Sequence, residues 1–314
     1  MASPTALVIP TGINPLNGLP MEESFTKSRP LAVMFNNIKV ALPQHGLSQA
    51  DIIYEAMAEG GITRIVGIFK DPSVVPAFGS IRSTRAYYID IALGHDALLM
   101  HAGGSPEALQ MIKDNNVVNI DGTTDSKTFY RNQERLNKKI SSEHTLFAKG
   151  EDVAKKIESL TGKRTQYEDQ YNPFSMGFGV TNIAGDAATK LTLKYPGGKT
   201  NVYEYEDGVY KVNQYNQPMI DGNTDKQVTV KNVLVLFTDV SLIAGDTSGR
   251  LRTRMTGTGD GWAATGGKLV KIKWSKEAID KPFVYTLQDG KPLTLNAGVS
   301  YINIAQTGSN FTFE

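Results

Sequence analysis

Cysteine is absent from this 314-residue chain. Its absence excludes disulfide bonds, iron–sulfur clusters, thiolate zinc sites and a cysteine nucleophile. A chain without thiols suits the cytosol, and it also suits a bacterial protein exported to an oxidising compartment, where a stray thiol is a liability. Cysteine usage therefore removes four kinds of chemistry and leaves the compartment open.

The chain also lacks a long apolar run and an excess of either charge. Lys and Arg number 33 against 32 Asp and Glu. A nucleic-acid partner is not expected, because phosphate contacts dominate such binding and leave a basic face in the sequence. The best apolar segment, residues 233–237, is strand-sized and far below the roughly 18–20 residues that span a bilayer. Because the opening Met-Ala-Ser-Pro-Thr has neither a basic nor an apolar region, we do not expect it to be a signal peptide, so the protein is either cytosolic or has lost its leader.

Motifs for cofactors and for nucleophilic catalysis are missing as well. The four histidines, at positions 45, 95, 101 and 144, do not have the spacing of a helix-borne metal site. There is no P-loop and no Gly-x-Ser-x-Gly elbow, and Gly103-Gly104 lacks the third glycine of a dinucleotide fingerprint. We therefore expect neither a cofactor nor a metal, and whether the protein is an enzyme stays open.

What the sequence does contain is the composition of an ordinary globular protein, with 40% hydrophobic and 21% charged residues. Helical and strand patterns alternate in the first half, whereas strand follows strand after Thr189. Asp-Gly and Gly-Gly pairs at 207–208, 221–222, 266–267 and 289–290 are typical of tight hairpins. We predict an α+β (mixed α/β) fold: a layered sandwich with a mixed sheet and helices in the N-terminal half and a mainly antiparallel β C-terminal half.

Three segments are expected along the chain. Residues 1–23, with four prolines, form an extended arm that is either a tether or a mobile terminus. Residues 24–180 form an α/β domain and residues 181–314 a β-rich domain, with a boundary near 165–185. Two halves that share one sheet would give the same sequence pattern.

The segment from Ser48 to Gly61 has a helical pattern that ends at Gly60-Gly61. On this predicted helix, three carboxylates spaced by four share one face: Asp51, Glu55 and Glu59. They form either a solvated acidic face or one side of a polar cleft. The cations that would face them in a cleft are Arg64, Arg82 and Arg85.

Residues 79–85 contain small hydroxyl residues and two arginines, and they lead into the N-terminus of a predicted helix that Ser83 or Thr84 would cap. Free N–H groups, the helix dipole and arginine all favour a bound anion at such a point. The alternative is that the two arginines pair internally with nearby carboxylates.

Two further features stand at predicted strand ends or turns. A buried strand ends in His101 before Gly103-Gly104, which is typical of a site edge in an α/β region, although a purely structural histidine is the alternative. A glycine-rich turn at 257–261 precedes Trp262. This tryptophan and Trp274 either stack on sugar rings or belong to the core and the sheet surface.

The motifs at residues 29–37, 46–55, 59–64, 79–85 and 101–105 resemble those of the YerB-like lipoprotein family of Gram-positive bacteria, a domain of unknown function with N- and C-terminal parts. The resemblance runs over nearly the whole chain from about residue 14. It implies a layered fold of mixed α and β structure, and it supplies no established catalytic residues.

Members of this family typically carry a leader and a lipidated cysteine ahead of an arm. The resemblance therefore implies a protein at the cell membrane, lipid-anchored on its extracytoplasmic face. We expect this chain to be the ectodomain, with the anchor missing from the sequence in hand. The oligomeric state is left open.

We expect a binding protein that takes an anionic or glycan ligand of the cell envelope in a polar cleft between the two halves. The candidate ligand-binding residues are Asn37, Asp51, Glu55, Glu59, Arg64, Arg82, Ser83, Arg85 and His101. The alternative is a cell-envelope enzyme that uses the same cleft. It would be a glycan hydrolase with two carboxylates, or a transferase that grips a lipid-linked pyrophosphate with arginines.

Overall fold

The protein, as a computed structural model, is described over residues 12–167, 177–179 and 183–314. In the first half, strands alternate with short helices, as the sequence predicts. The elements are β1 (Leu31–Asn37), β2 (Ile52–Met57), β3 (Thr63–Phe69), β4 (Phe78–Gly79), α1 (Ala86–Gly94), β5 (Leu98–His101), α2 (Pro106–Asp114), β6 (Asn119–Asp121), β7 (Phe129–Arg131), α3 (Gln133–Asn137), β8 (Leu146–Ala148) and α4 (Gly150–Glu158).

The described part of the second half contains strands and no α-helix. Its elements are β9 (Gly177–Phe178), β10 (Asp186–Ala187), β11 (Lys190–Lys194), β12 (Thr200–Glu206), β13 (Val209–Gln214), β14 (Gln217–Pro218), β15 (Ile220–Asp221), β16 (Lys226–Gln227), β17 (Thr229–Val230), β18 (Asn232–Thr238), β19 (Val240–Leu242), β20 (Leu251–Thr253), β21 (Gly257–Thr265), β22 (Lys268–Lys276), β23 (Val284–Leu287), β24 (Thr294–Leu295), β25 (Ser300–Gln306) and β26 (Asn310–Phe313).

One mixed sheet runs through both halves of the chain. Its order is β10-β22-β21-β18-β25-β2-β3-β1-β5-β6, with β23 also paired to β22. β2 is parallel to β25 and β25 to β18, while β3 runs antiparallel between β1 and β2. β1, β2, β5, β18 and β25 therefore point the same way, and we call the edge where they end the carboxyl edge and the other the amino edge.

Both faces of this main sheet are covered. One face packs against α1 and α2. The other packs against α4 and a second sheet of order β14-β13-β12-β11-β26. The apolar side chains of β1 alternate between these two cores, so every residue of that strand is buried. The predicted α+β layered sandwich is confirmed.

The predicted helix between Ser48 and Gly61 is wrong, because residues 52–57 form β2. All six residues are buried, and a central strand with two covered faces gives a continuous apolar run that also fits helical spacing. Asp51, Glu55 and Glu59 therefore do not line one helical face. Asp51 lies at the amino edge, Glu55 lies within the strand, and Glu59 follows it at the carboxyl edge.

The predicted turn at 257–261 is wrong as well, because these residues belong to β21. A Cβ atom on Gly259 would lie 2.5 Å from Trp274 Nε1, and one on Gly261 would lie 2.5 Å from the Val235 carbonyl oxygen. These glycines thus permit close approach of neighbouring groups rather than a reversal of the chain.

The expected N-terminal arm is described only from Gly12 onward, and residues 1–11 lie outside the described part. From Gly12 the chain is not extended: Ile13 pairs with Pro20, and Leu16 is 1% exposed within the core. Asn14 and Asn17 donate to Asp51. This segment is therefore docked at the amino edge of the main sheet.

The expected domain boundary near 165–185 falls partly outside the described residues. The main sheet contains strands from both sides of it, so the two halves share hydrogen-bond ladders. No helix among the described residues is long and apolar enough to cross a membrane.

Candidate functional site

Polar residues collect at the carboxyl edge of the main sheet. β1 ends at Asn37 and β5 at His101, Glu59 follows β2, and Thr63 and Arg64 begin the antiparallel β3. Ligands of open α/β sheets bind outside the carboxyl ends of the strands. This edge is therefore where a site is expected.

Glu55 is the most strongly bound carboxylate near this edge, and its side chain is completely buried. Burial alone would raise its pKa, but the Lys199 ammonium and several donors outweigh burial and hold the pKa below its ordinary value. The donors are Asn37 Nδ2 (3.1 Å), Thr63 Oγ1 (2.5 Å), Asn201 Nδ2 (2.6 Å), Lys199 Nζ and Tyr301 Oη. Glu55 is thus a charged structural centre.

Lys199 connects the two sheets through this carboxylate. It precedes β12 of the second sheet, whereas Glu55 belongs to the main sheet. Its Nζ also donates to Asn201 Oδ1 at 2.8 Å and lies 5.5 Å from the centroid of the Tyr215 ring. Tyr215 in turn donates to the Asn37 carbonyl oxygen at 2.6 Å. These contacts form a rigid wall between the layers.

A cavity of about 520 Å³ opens against this wall. The Gly60-Gly61 turn after β2 and the Gly197-Gly198 turn between β11 and β12 form two of its sides. Lys39, Lys194 and Lys199 also line it, and the described lining residues include no carboxylate. The cavity is therefore a basic one between the two sheets.

The two glycine turns touch each other. A Cβ atom on Gly197 would lie 2.6 Å from the carbonyl oxygen of Gly61, and both residues have positive φ. Gly60 and Gly198 also have positive φ, but nothing lies within 4 Å of a Cβ atom placed on them. Only glycine permits this approach of backbone to backbone.

Beside the cavity, Glu59 binds two of the predicted arginines. It accepts a hydrogen bond from Arg85 Nε and pairs with Arg64 Nη2 at 3.5 Å. Arg64 Nη1 also donates to the Ser83 carbonyl oxygen at 3.0 Å. Burial opposes the charge of Glu59, but the two guanidinium groups lower its pKa. One carboxylate thus binds two guanidinium groups, and the cluster keeps about one positive charge in excess.

Arg82 lies apart from this cluster and pairs with Glu143 at 3.1 Å. Ser83 donates its hydroxyl to the Ala102 carbonyl oxygen at 2.9 Å. The backbone amide of Arg82 donates to the Met34 carbonyl oxygen, and that of Thr84 donates to the Gly103 carbonyl oxygen. Neither Ser83 nor Thr84 caps α1, because the N-cap is Arg85 and it makes no side-chain cap. The predicted cap is wrong.

The two remaining candidates, His101 and Asp51, do not line the basic cavity. His101 is fully buried rather than on a rim, and its ring contacts the Gly103 carbonyl oxygen at 2.8 Å and Asn119 Oδ1 at 3.2 Å. Asp51 lies at the amino edge, beyond the length of β2. Among the nine sequence candidates, Asn37 and Glu55 support the cavity wall, and Glu59, Arg64, Ser83 and Arg85 meet beside it.

Family models match both halves of the chain. They are described as "Protein of unknown function (DUF3048) N-terminal domain", over residues 16–164, and the corresponding C-terminal domain, over residues 191–302. The chain belongs to this family. The resemblance to YerB-like proteins is confirmed by a YerB sequence and by a YerB crystal structure, both from Bacillus subtilis.

In sequence, the chain is similar to the "Putative lipoprotein YerB" of Bacillus subtilis (strain 168). It is 29% identical over 298 residues, which cover 92% of this chain and 85% of the relative. In structure, the chain is similar to the crystal structure of the YerB protein from Bacillus subtilis. It matches with a TM-score of 0.82 and 25% identity over 96% of this chain and 99% of that chain.

In this member of the DUF3048 family, sequence reasoning missed the residues that line the basic cavity. They are Lys39, Lys194, Lys199, Gly197 and Tyr215. One signal was present, since two Gly-Gly pairs each stand beside a strand and Lys199 directly follows the second. Among the described residues, no group of three His, Asp or Glu side chains could hold a metal ion.

Proposed function

We propose that this chain is the extracytoplasmic part of a lipid-anchored binding protein of the bacterial cell envelope, and that its basic cavity takes an anionic ligand. The observation that carries the proposal is a cavity between two sheets that three lysines line and no described carboxylate faces. The name of the Bacillus subtilis relative supports the lipid anchor.

The charge of the cavity supports an anion. Glu55 balances the charge of Lys199, whereas Lys39 and Lys194 are exposed and form no ion pair with any described residue. The cavity therefore has about two positive charges in excess. A phosphate or carboxylate group would neutralise them, and 520 Å³ lies within the range of small-molecule sites.

Lys199 supplies a fixed donor at the inner wall. Its ammonium has three N–H groups, and among the described residues Glu55 and Asn201 accept two of them. The residue is 5% exposed, so the ammonium is held in place before a ligand arrives. A charge-assisted hydrogen bond from the third N–H would be stronger than a neutral one.

Binding is better supported than catalysis. A glycan hydrolase needs two carboxyl groups in an open groove, one of them with a raised pKa. Glu55 and Glu59 instead have lowered pKa values and are occupied by cations. Arg82 and Arg85 are each paired with a carboxylate, so the grip of a transferase on pyrophosphate would require breaking these pairs.

The proposal is tested by calorimetric titration with inorganic pyrophosphate and with a short glycerol phosphate oligomer. We expect Lys39→Gln with Lys194→Gln to weaken binding by about tenfold or more, because a hydrogen bond to a charged group contributes about 1.5–3 kcal/mol. Binding to the unchanged chain should also weaken as salt is raised.

The matched control is Lys155→Gln with Lys163→Gln, which removes the same charge from exposed positions on and after α4. This control should bind both probes as the unchanged chain does. Equal loss of affinity in the two double variants would show that the net charge of the chain, and not the cavity, determines binding, and would contradict the proposal. Failure of the unchanged chain to bind either probe would contradict the proposal.

A further inference from the structure

The outer edge of β22 is interrupted in the main sheet. β10 pairs with β22 at Lys268 and Leu269, and β23 pairs with it from Ile272 to Ser275. Among the described residues, Val270 and Lys271 have no strand partner on that side. A cavity of about 500 Å³ lies at this gap. It is separate from the basic cavity and shares no lining residue with it.

The wall of the gap cavity contains one of the two tryptophans of the chain. Trp262 lies opposite Lys271 in the β21–β22 register. Its ring packs against Phe311 and Phe313, with centroid distances of 6.1 and 5.3 Å, and stays partly exposed. Trp274 is instead 1% exposed and donates to the Phe237 carbonyl oxygen. An exposed indole in a cavity wall offers an apolar surface to a ligand.

The rim of this cavity is polar on both sides of the gap. Asp186 in β10 and Gln288 and Asp289 after β23 line it together with Lys271, whose Nζ lies over the Trp262 ring, 5.3 Å from its centroid. Because Lys271 is exposed, its side chain can move off the ring and leave that face to a ligand. The floor is apolar, formed by Leu269, Val270 and Leu287. The cavity therefore combines an aromatic wall with hydrogen-bonding groups of both kinds.

We propose that the gap cavity binds an uncharged sugar ring that stacks on Trp262. A pyranose carries weakly positive C–H groups on one face, and they match the negative face of an indole. Its hydroxyl groups both donate and accept, as Asp186, Gln288 and Lys271 require. Lys271 and Lys291, which pairs with Asp289 at 2.8 Å, balance the two carboxylates of the rim, so the gap cavity has no excess positive charge to attract an anion, in contrast to the basic cavity.

Two other occupants fit the cavity less well. An extended peptide would add to the edge of β22, but the gap is two residues long, about 7 Å at 3.3 Å per residue. A peptide could therefore pair with only two residues of β22 and would gain few of the main-chain hydrogen bonds that give such binding its affinity. An acyl chain would cover Leu269 and Leu287 but would leave the charged rim without partners.

Tryptophan fluorescence provides a local reading of this site, because Trp274 is buried and only Trp262 meets the cavity. We would titrate the chain with maltotetraose and with the tetramer of N-acetylglucosamine. A saturable change in emission is expected with at least one of them. Lys39→Gln with Lys194→Gln should leave this titration unchanged, which separates the sugar site from the basic cavity.

Calorimetry then tests the residues. Trp262→Ala should weaken sugar binding by at least about tenfold, the factor that corresponds to 1.4 kcal/mol. Trp262→Phe should restore part of the affinity, and Gln288→Ala, at an exposed position, should weaken binding without touching the core. The matched control is Tyr130→Ala, which removes a 37% exposed aromatic ring from β7 and should have no effect.

Three results would overturn the proposal. The first is no saturable change with either sugar. The second is unchanged affinity in Trp262→Ala, checked to be folded by circular dichroism. The third is that laurate or an extended peptide binds the cavity and quenches Trp262 while neither sugar does.

Discussion

Asp51 accepts three N–H donors at the amino edge, yet it is buried deeply enough that its pKa rises to about 7 from an ordinary value of 3.8. The donors are Asn14 Nδ2 (2.8 Å), Asn17 Nδ2 (2.7 Å) and the Lys70 amide (2.6 Å). They favour the charged carboxylate, but they do not offset the loss of water. The residue that holds the N-terminal segment is therefore also a titrating one.

This titration gives a pH dependence of stability. Between about pH 4 and pH 7 the folded chain keeps a proton on Asp51 that the unfolded chain has released, so the contribution of Asp51 falls as pH rises. The total is at most about 4 kcal/mol, at roughly 1.4 kcal/mol for each pH unit. Asp51→Asn should remove this slope, as thermal melts of both proteins across this range would show.

The quantity to compare is the difference in stability between the unchanged chain and Asp51→Asn at each pH, because other groups titrate in the same range and affect both proteins. Burial lowers the pKa of His95 to about 3, so His95 makes stability rise with pH from about 3 to 6.5. The stability advantage of the unchanged chain over Asp51→Asn should shrink steadily from pH 4 to 7. A difference that is constant with pH would contradict the role of Asp51.

At the residue scale, the sequence predicted which kinds of side chain lie at the carboxyl edge, but it predicted less well which of them contact each other. Glu59, Arg64 and Arg85 were singled out as a cluster of carboxylate and arginines, and they do meet. Their meeting depends on the pairing of β1, β2 and β3, which a single sequence does not reveal. Lys39 and Lys194 could not be found, because an isolated lysine on a turn or strand end has no spacing signal.

At the scale of secondary-structure elements, the contact between the turn after β2 and the turn between β11 and β12 can be tested by substitution. Ala at position 197 or at position 198 would be strained by positive φ, about 1–2 kcal/mol in each case. Gly197→Ala would in addition drive a Cβ atom into Gly61, a backbone clash of the kind that costs about a further 1–3 kcal/mol. Urea unfolding should therefore show a clearly larger loss for Gly197→Ala than for Gly198→Ala.

The pair of variants is its own control, since the φ values of Gly197 and Gly198 are 95° and 96°. Gly197→Ala should also weaken binding of pyrophosphate, because the two sides of the basic cavity move apart. Equal destabilisation by the two substitutions would show that the contact with Gly61 contributes nothing. Gly61→Ala and Gly60→Ala repeat the comparison from the other turn.

At the element scale, prediction worked where one face of a strand meets solvent. The β12–β13 hairpin alternates buried and exposed residues around Asp207-Gly208, and the β21–β22 turn is Gly266-Gly267, both as expected. α2 begins at Pro106 with Ser105 as its cap, which is the start that a serine followed by a proline at the first helical position indicates. β2 was mistaken for a helix because burial on both sides removes the alternation that marks a strand.

For the molecule as a whole, the hydrogen-bond ladders between β2 and β25 decide the architecture. They pair Ile52 with Ser300 and Glu55 with Asn303, residues from opposite ends of the chain. A change of pattern between the first and second half of the sequence is real, since no α-helix follows α4 among the residues that the structure describes. The sequence pattern indicates only local structure, however. It does not show that two strands far apart in the sequence, such as β2 and β25, are hydrogen-bonded to each other.

The proposed lipid anchor is a property of the whole molecule and is tested in native cells. We expect the full-length protein to sediment with membranes and to be released by detergent but not by high salt. An exposed protease should digest it in intact cells from which the wall has been removed. Full-length protein recovered from the cytosol without lipid would contradict the anchor.

The docking of residues 12–20 at the amino edge has a mechanical consequence. With the anchor upstream of Gly12 and a ligand held in the basic cavity, tension would enter beside Asp51 and leave beside Gly60-Gly61, at the two ends of β2. β2 is hydrogen-bonded on both sides, to β3 and to β25. Because Asp51 and Gly60 lie at the two ends of the same strand, the covalent backbone of β2 carries this pull, and its two neighbours are not sheared against it. The hydrogen bonds of Asn14 and Asn17 to Asp51 are then the non-covalent link in this path, and they set the tension at which the N-terminal segment would leave the sheet.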